Sequence, residues 1–278
     1  MPKSDARGGL PPSTDERSVG AILAEYATQA WGVVATEVQK LRHDPVELFT
    51  RAVQPVLWLM LFGEVMARVR GVAPGDSLTL ISWPPASSRK APFSLPYSMD
   101  ISAIWERDLG VLQRYLVSPA PRSALVIGKA LSAGVRGLAQ AVIVYLLALV
   151  LGVGIALNPL NILGVVFAIV LGTGLFSMLS LIIACIVRTR ERFMGIGQVL
   201  TMPIFFASNA IYPLSLMPAW LSTVSHINPL TYEVDALRAL MLIKGESDYG
   251  LLVDYGVLLG VAALLTSIAA RMYGRMGY

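Results

Sequence analysis

From Leu160 to Val187 the chain carries no charged side chain. Coiled as a helix at ~1.5 Å per residue, that run is longer than the ~30 Å hydrocarbon core of a bilayer. Other apolar runs stand at 48–69, 123–153, 194–216 and 251–270. Few folds can absorb so much apolar chain in water, so the sequence reads as an all-α polytopic membrane protein. Charge supports this: only 14% of residues are Asp, Glu, Lys or Arg, against about 25% in soluble domains. The net charge of +4 does not indicate nucleic acid, because the Lys and Arg residues cluster beside the apolar runs. That placement is topogenic.

The segments between and before the runs are of several kinds. Residues 1–18 are polar and lack an apolar core, so they read as a disordered tail without a cleavable leader. Residues 19–43 mix polar and apolar positions at helical spacing, as in an amphipathic helix on the membrane surface. The run at 48–69 holds Arg51 and Glu64. Glu64 either lines a pathway or lies at the outer interface near Arg68 and Arg70. Residues 103–122 are amphipathic and end in a Pro-rich turn. The run at 123–153 carries Lys129 and Arg136 in its first half, so that half starts in the cytoplasm or in a protein-lined groove. Pro203 is expected to kink the run at 194–216, and Asn209 lies deep enough there to need a hydrogen-bond partner. Residues 217–250 read as two short helices meeting at Asn228-Pro229. Cys185 is a small packing residue, and the distant His43 and His226 form no catalytic or metal constellation.

Lys and Arg placement puts Lys3, Arg7, Arg17, Lys40, Arg42, Arg107, Arg114, Arg122, Arg188, Arg190, Arg192, Arg271 and Arg275 on the cytoplasmic side. Arg68, Arg70, Arg238 and Lys244 fall on the other. This assignment requires two crossings before residue 104. The second would have to lie where "SWPPASSRKAPFSLPYSMD" (82–100) stands, with four prolines and an Arg-Lys pair. Such a segment cannot face lipid as a helix, because its backbone groups would go unpaired.

Three stretches carry a family resemblance: "LFTRAVQPVLWLMLFGEV" (48–65), "IWERDLGVLQRYLVSPAPRSALVIGKALSAGVRG" (104–137) and "SNAIYPLSLMPAWLSTVSHINPLTYEVDALRALM" (208–241). In order and spacing the chain resembles the membrane subunit of ABC-2 type transporters, particularly drug-export permeases of the daunorubicin-resistance type. The resemblance implies a type V exporter-like permease with six spans and both termini cytoplasmic. It implies an elbow helix (19–43), a coupling helix (104–117), short outer helices (217–248) and spans at 48–69, 123–153, 160–187, 194–216 and 251–270. It also implies a second span at 77–103, which this sequence disrupts. Synonymous codons for Trp83 to Asp100, read two bases later, give Ala-Pro-Gly-Ile-Leu-Ala-Gln-Ser-Ala-Leu-Phe-Val-Ala-Ile-Phe-Tyr-Gly. That is a turn followed by an apolar helix. The expectation is therefore that residues 77–100 are translated out of frame, against the alternative of a real polar insertion or re-entrant loop.

No GxxxxGK[ST] phosphate loop is present; "IGKA" (127–130) lacks the required flanks. The resemblance accordingly implies a transport subunit that is not itself an enzyme and holds no cofactor. ATP and Mg would sit on a separate ATP-binding subunit, and two permease copies would pair as a homodimer in the cytoplasmic membrane. In the coupling helix, Glu106, Arg107, Asp108 and Arg114 can pair with that subunit. Trp105 anchors to the membrane part, and Gly110 lies within the same motif. Asn228, Pro229, Glu233, Asp235 and Arg238 are expected to form an outer structural gate with local ion pairs. Glu64, Phe205, Phe206, Asn209 and Tyr212 are candidate pathway residues. With so few charges, the pathway suits a small amphiphilic substrate such as a drug, antibiotic or lipid-like molecule. A polysaccharide or glycolipid export permease remains open, as does a nontransporting assembly subunit or degenerate gene product.

Overall fold

The computed structural model describes residues 19–43, 122–150, 156, 158–187, 189–210, 214, 217–242 and 245–273, together with Val53 and Leu57. Apart from Val53 and Leu57, the expected first span lies outside the described residues, as do the 1–18 tail, the anomalous 77–103 segment and the coupling helix. Among the described residues the chain is helical: α1 (Val19–His43), α2 (Arg122–Val150), α3 (Pro159–Ile186), α4 (Arg190–Phe206), α5 (Ala219–Ile227), α6 (Pro229–Met241) and α7 (Leu251–Tyr273). Three stretches of these are long and apolar enough to cross a membrane: Leu125–Leu146, Pro159–Ile186 and Leu251–Met272.

The centre of the arrangement is α3, which packs against α2, α6 and α7. Its start is set locally. Asn158 Oδ1 accepts from Leu160 N–H at 3.1 Å, and Pro159 occupies the first turn, where its missing N–H costs nothing. Between lipid-embedded helices the hydrophobic effect gives little attraction, so contact depends on close packing. Glycines supply it along the α2–α3 seam. A Cβ on Gly134 would meet the Val170 side chain at 3.1 Å, and one on Gly174 would meet Ala130 at 3.5 Å. Gly137 lies against Thr173 and Ile169.

Along the first half of α2 lies α1. Its stripe of Ala30, Val34 and Glu37 is buried at helical spacing. Gly128 faces Ala30 and Val33, and Arg136 Nε pairs with Glu37 Oε1 at 3.1 Å. The two helices therefore run in the same sense. This contact lines the polar half of α2, where Lys129, Ser132 and Gln140 are buried. Lys40, Arg42 and His43 close the C-terminal turn of α1, where cations complement the helix dipole.

The expected span at 194–216 differs. Helix α4 begins earlier, at Arg190, with Thr189 Oγ1 accepting from Arg192 N–H at 3.4 Å, and it ends at Phe206. Pro203 falls in its last turn instead of kinking a longer helix. The stop has a local cause. Ser208 Oγ donates to Phe205 O at 2.7 Å and accepts from Ala210 N–H at 3.2 Å, so one hydroxyl takes over backbone bonds that a continuing helix would make.

The pair α5 and α6 meets at Asn228. Its backbone N–H closes α5 on Ser225 O, and its Oδ1 opens α6 by accepting from Leu230 N–H at 3.1 Å. While α5 exposes Trp220, Val224 and Ile227, α6 is buried on nearly every side. It runs antiparallel to α3. Met241 O accepts from Ala156 N–H at the α2–α3 turn, and Leu230 packs with Leu175, Phe176 and Leu258. Thus α6 reaches past the middle of α3, about 20 Å by helix rise. It is sunk between α3 and α7.

Helix α7 follows a turn at Gly250, whose φ of +90° suits glycine. Tyr255 OH donates to Gly164 O at 2.8 Å, and Ala269 joins the cluster of Leu125, Val126, Met178 and Leu181. Accordingly α7 runs parallel to α3 and holds α6 against it.

Candidate functional site: the inserted helix and its ties

Helix α6 carries four of the residues singled out from the sequence, Pro229, Glu233, Asp235 and Arg238, and Asn228 caps it. At about 100° per residue, Asp235 and Arg238 share a face, whereas Glu233 points well away from both. The structure accordingly replaces the expected local ion pairs. No ion pair joins Glu233, Asp235 and Arg238 among the described residues; each has a different neighbour.

Glu233 turns to α3. Its carboxyl lies directly over Gly172, in the space that a Cβ there would occupy. Burial pushes this carboxyl up to about 8, so at neutral pH it is mainly the uncharged acid. Arg238 turns to the end of α4. Its Nη2 donates to Asn209 O at 2.5 Å and Ala210 O at 3.3 Å. Burial works against the guanidinium charge, while Asp235 and Asp248 favour it.

Asp235 turns to the connection before α7. Its Oδ2 accepts from Ser247 Oγ at 2.9 Å, Asp248 N–H at 2.8 Å and Tyr249 N–H at 3.2 Å. Burial raises its pKa, and the bonds from Ser247, Tyr249 and Asp248 pull it back. Ser247 Oγ also lies 2.8 Å from Asp254 Oδ2 and accepts from Gly250 N–H at 2.6 Å. Next to this group, Tyr249 is sandwiched between Tyr232 (ring centroids 5.0 Å) and His226 (5.5 Å).

Asn228 does more than break a helix. Its Nδ2 donates to Ile204 O at 2.6 Å, which ties the α5–α6 junction to α4. Tyr232 OH donates to His226 O at 2.7 Å across the same junction, and Ser225 Oγ and Thr231 Oγ1 share a 3.0 Å bond. Pro229 occupies the first turn of α6.

Of the pathway candidates, Phe205 and Phe206 meet edge to face at 5.7 Å; Phe205 packs into the core around Leu230, and Phe206 is exposed. Asn209 is fully buried, and among the described residues neither Oδ1 nor Nδ2 has a hydrogen-bond partner. The expected partner for its side chain is thus missing, and its carbonyl is the group engaged. The two sets read separately from the sequence, at 205–209 and 228–238, are one assembly through Asn228–Ile204 and Arg238–Asn209. Glu64, Tyr212, Trp105, Glu106, Arg107, Asp108, Gly110 and Arg114 lie outside the described residues.

Sequence reasoning missed Gly172, Ser247, Asp248 and Tyr249 as parts of this site. A Ser-Asp pair just before an Asp-bearing helix start was the available signal for the last three. Among the described residues no group of three or more His, Cys, Asp or Glu side chains could hold a metal ion.

Three helical stretches long and apolar enough to cross a membrane, with a short buried helix wedged between two of them, define the class as a helical membrane protein. The chain belongs to the ABC-2 type transporter family, whose model matches residues 28–242. It is 30% identical over 207 residues to a putative transport permease, ycf38, of Cyanophora paradoxa, covering 72% of this chain and 70% of that one. A putative transport permease ycf38 of Pyropia yezoensis is 28% identical over 235 residues, 81% of this chain and 74% of the relative. The probable multidrug ABC transporter permease YbhR of Escherichia coli (strain K12) is 29% identical over 153 residues, 53% and 40% of the two chains. The protein is a membrane permease of an ABC transporter.

Proposed function

We propose that this chain is the membrane subunit of an ABC exporter. It moves an apolar or amphiphilic compound across the cytoplasmic membrane, as a homodimer, with ATP hydrolysed on a separate ATP-binding subunit. The observation that carries the reading is α6, a helix too short to cross a membrane yet buried between α3 and α7. Such a wedge closes a route on one side and can be withdrawn as a rigid unit.

The mechanism follows from its ties. Asn228 and Arg238 attach α6 to the end of α4, and Asp235 attaches it to the start of α7. A shift of α4 against α3 therefore carries α6 with it. Nucleotide-driven closure of the partner subunits would enter at residues 104–117, through Glu106, Arg107, Asp108 and Arg114. It would then reach α6 as a change in helix packing, a transition between discrete arrangements. The apolar surroundings of Phe205 and Phe206 favour a substrate with a large apolar part. The multidrug description of YbhR points the same way.

The test is co-expression with a cognate ATP-binding subunit. A stable complex whose ATP hydrolysis rises several-fold with amphiphilic compounds supports the reading. Failure to form any complex overturns it, and stimulation by glycolipid alone redirects it to glycan export.

A further inference from the structure

At the start of α7 one serine hydroxyl stands between two carboxyl groups. The Ser247 hydroxyl lies within hydrogen-bond distance of two carboxylate oxygens, Asp235 Oδ2 at 2.9 Å and Asp254 Oδ2 at 2.8 Å. It has one hydrogen to give. Gly250 N–H already donates to the same oxygen at 2.6 Å. Both short contacts are satisfied together only if one carboxyl is itself a donor.

The surroundings decide which. Asp235 Oδ2 accepts two backbone N–H groups as well as the hydroxyl, the setting of an anion. Asp254 is fully buried; among the described residues its Oδ1 has no partner and its Oδ2 has Ser247 alone. An ionised carboxylate so placed would be desolvated without compensation. We propose that Asp254 carries a proton at neutral pH, and that Asp254, Ser247 and Asp235 form a proton-held latch joining the start of α7 to α6. Asp254 donates to Ser247 Oγ, and Ser247 donates to the Asp235 carboxylate.

The charges around the latch reinforce this order. From α6 come Asp235, Arg238 and Tyr232, and from the connection come Asp248, Tyr249 and the exposed Glu246. From α7 comes Tyr255, whose hydroxyl is engaged with Gly164 O. From α5 comes His226, set edge to face with Tyr249, while Glu233 faces α3. Among the described residues Arg238 is the cation of this set, and it is bound to the carbonyls of Asn209 and Ala210. Loss of the proton leaves two carboxylates facing one hydroxyl, and one of them must withdraw. The latch therefore opens as the pH on the side of the α6–α7 connection rises.

The test uses the full chain in nanodiscs. Infrared spectra at neutral pH should contain a protonated-carboxyl C=O band to which Glu233 and Asp254 both contribute. Glu233→Gln removes one contribution and Asp254→Asn removes the other. In Asp254→Asn the amide N–H still donates to Ser247, so the latch stays shut. Hydrogen exchange at the Asp248 and Tyr249 amides, corrected for the intrinsic rate, should accelerate at least tenfold in the wild type as pH rises. In Asp254→Asn it should stay slow. A band that Asp254→Asn leaves unchanged overturns the proposal, as does equal pH dependence of exchange in both proteins. Should Asp254→Asn fail to fold, Ser247→Ala serves. It keeps the band but moves it to higher frequency, because the acid has lost its acceptor, and an unmoved band overturns the proposal.

Discussion

The contact between Glu233 and Gly172 gives a prediction whose sign depends on geometry alone. In the wild type, Gly172→Ala places a methyl group where the Glu233 carboxyl lies. The carboxyl must leave its place or α6 must lift from α3, and overpacking of this kind costs about 1–3 kcal/mol. In a Glu233→Ala background the obstacle is gone. There the same substitution replaces a helix-interior glycine with alanine, which favours the helix by about 1 kcal/mol. Gly172→Ala should therefore change sign between the two backgrounds. The coupling should be about 2–4 kcal/mol, the difference between a 1–3 kcal/mol loss and a gain of up to about 1. Independent sites add to within about 0.3–0.5 kcal/mol, so an effect of that size is readily measured. The assay is reversible unfolding in mixed micelles, titrated with a denaturing detergent, for the four proteins of the cycle. If Gly172→Ala is equally destabilising with and without Glu233, the α3–α6 contact is not as described, and the insertion of α6 falls with it.

The remaining predictions concern the other ties. Glu233 titrates near 8 in the folded chain, above its ordinary value of 4.5, so the native state keeps a proton that the unfolded chain has lost. Stability should consequently fall by about 1.4 kcal/mol per pH unit between those values and level off above pH 8; Glu233→Gln should remove this slope from melting curves taken across that range. Arg238→Ala leaves the Asn209 and Ala210 carbonyls unpaired and should cost about 1–3 kcal/mol per buried group. Arg238→Lys, a single point donor in place of a fork, should recover only part of the loss on thermal unfolding. Arg136→Ala takes from Glu37 its 3.1 Å partner and leaves it only the longer 3.8 Å pair with the exposed Lys40 among the described residues, and should cost up to about 3 kcal/mol. Limited proteolysis should then cut within α1, and Glu37→Gln in the same chain should restore resistance.

The legible parts of the fold were those with local causes. Asn158-Pro159 and Asn228-Pro229 each combine a side-chain acceptor with a ring suited to a first turn, and each starts a helix. The charge-free run at 160–187 became α3 almost to the residue. What the sequence hid was set by contacts across the fold. Beyond Phe206 only Ser208 and Asn209 interrupt the apolar run before Tyr212, and a lone Ser-Asn pair does not announce that the Ser208 hydroxyl ends α4. Glu233, Asp235 and Arg238 look like partners because they are close in sequence. Their actual partners, Gly172, Ser247 and the Asn209 carbonyl, come from three other segments, and only the docking of α6 brings them near. Asn209 was rightly seen as buried, but it is the backbone carbonyl, common to every residue type, that is bonded. The fate of residues 77–100 lies outside the described residues.

The Glu37–Arg136 pair has a consequence for the order of synthesis. Glu37 leaves the ribosome long before Arg136, so α1 is complete while the helix that will cover its polar stripe does not yet exist. During that interval α1 has to rest at the bilayer interface with Glu37 hydrated. The first half of α2, with Lys129 and Arg136, is likewise a poor substrate for membrane insertion on its own. Each helix becomes stable in its final position only when the other arrives. The finished contact thus reports that insertion of α2 has succeeded, and a chain stalled before that step would present an undocked α1 to the cell's quality-control proteases.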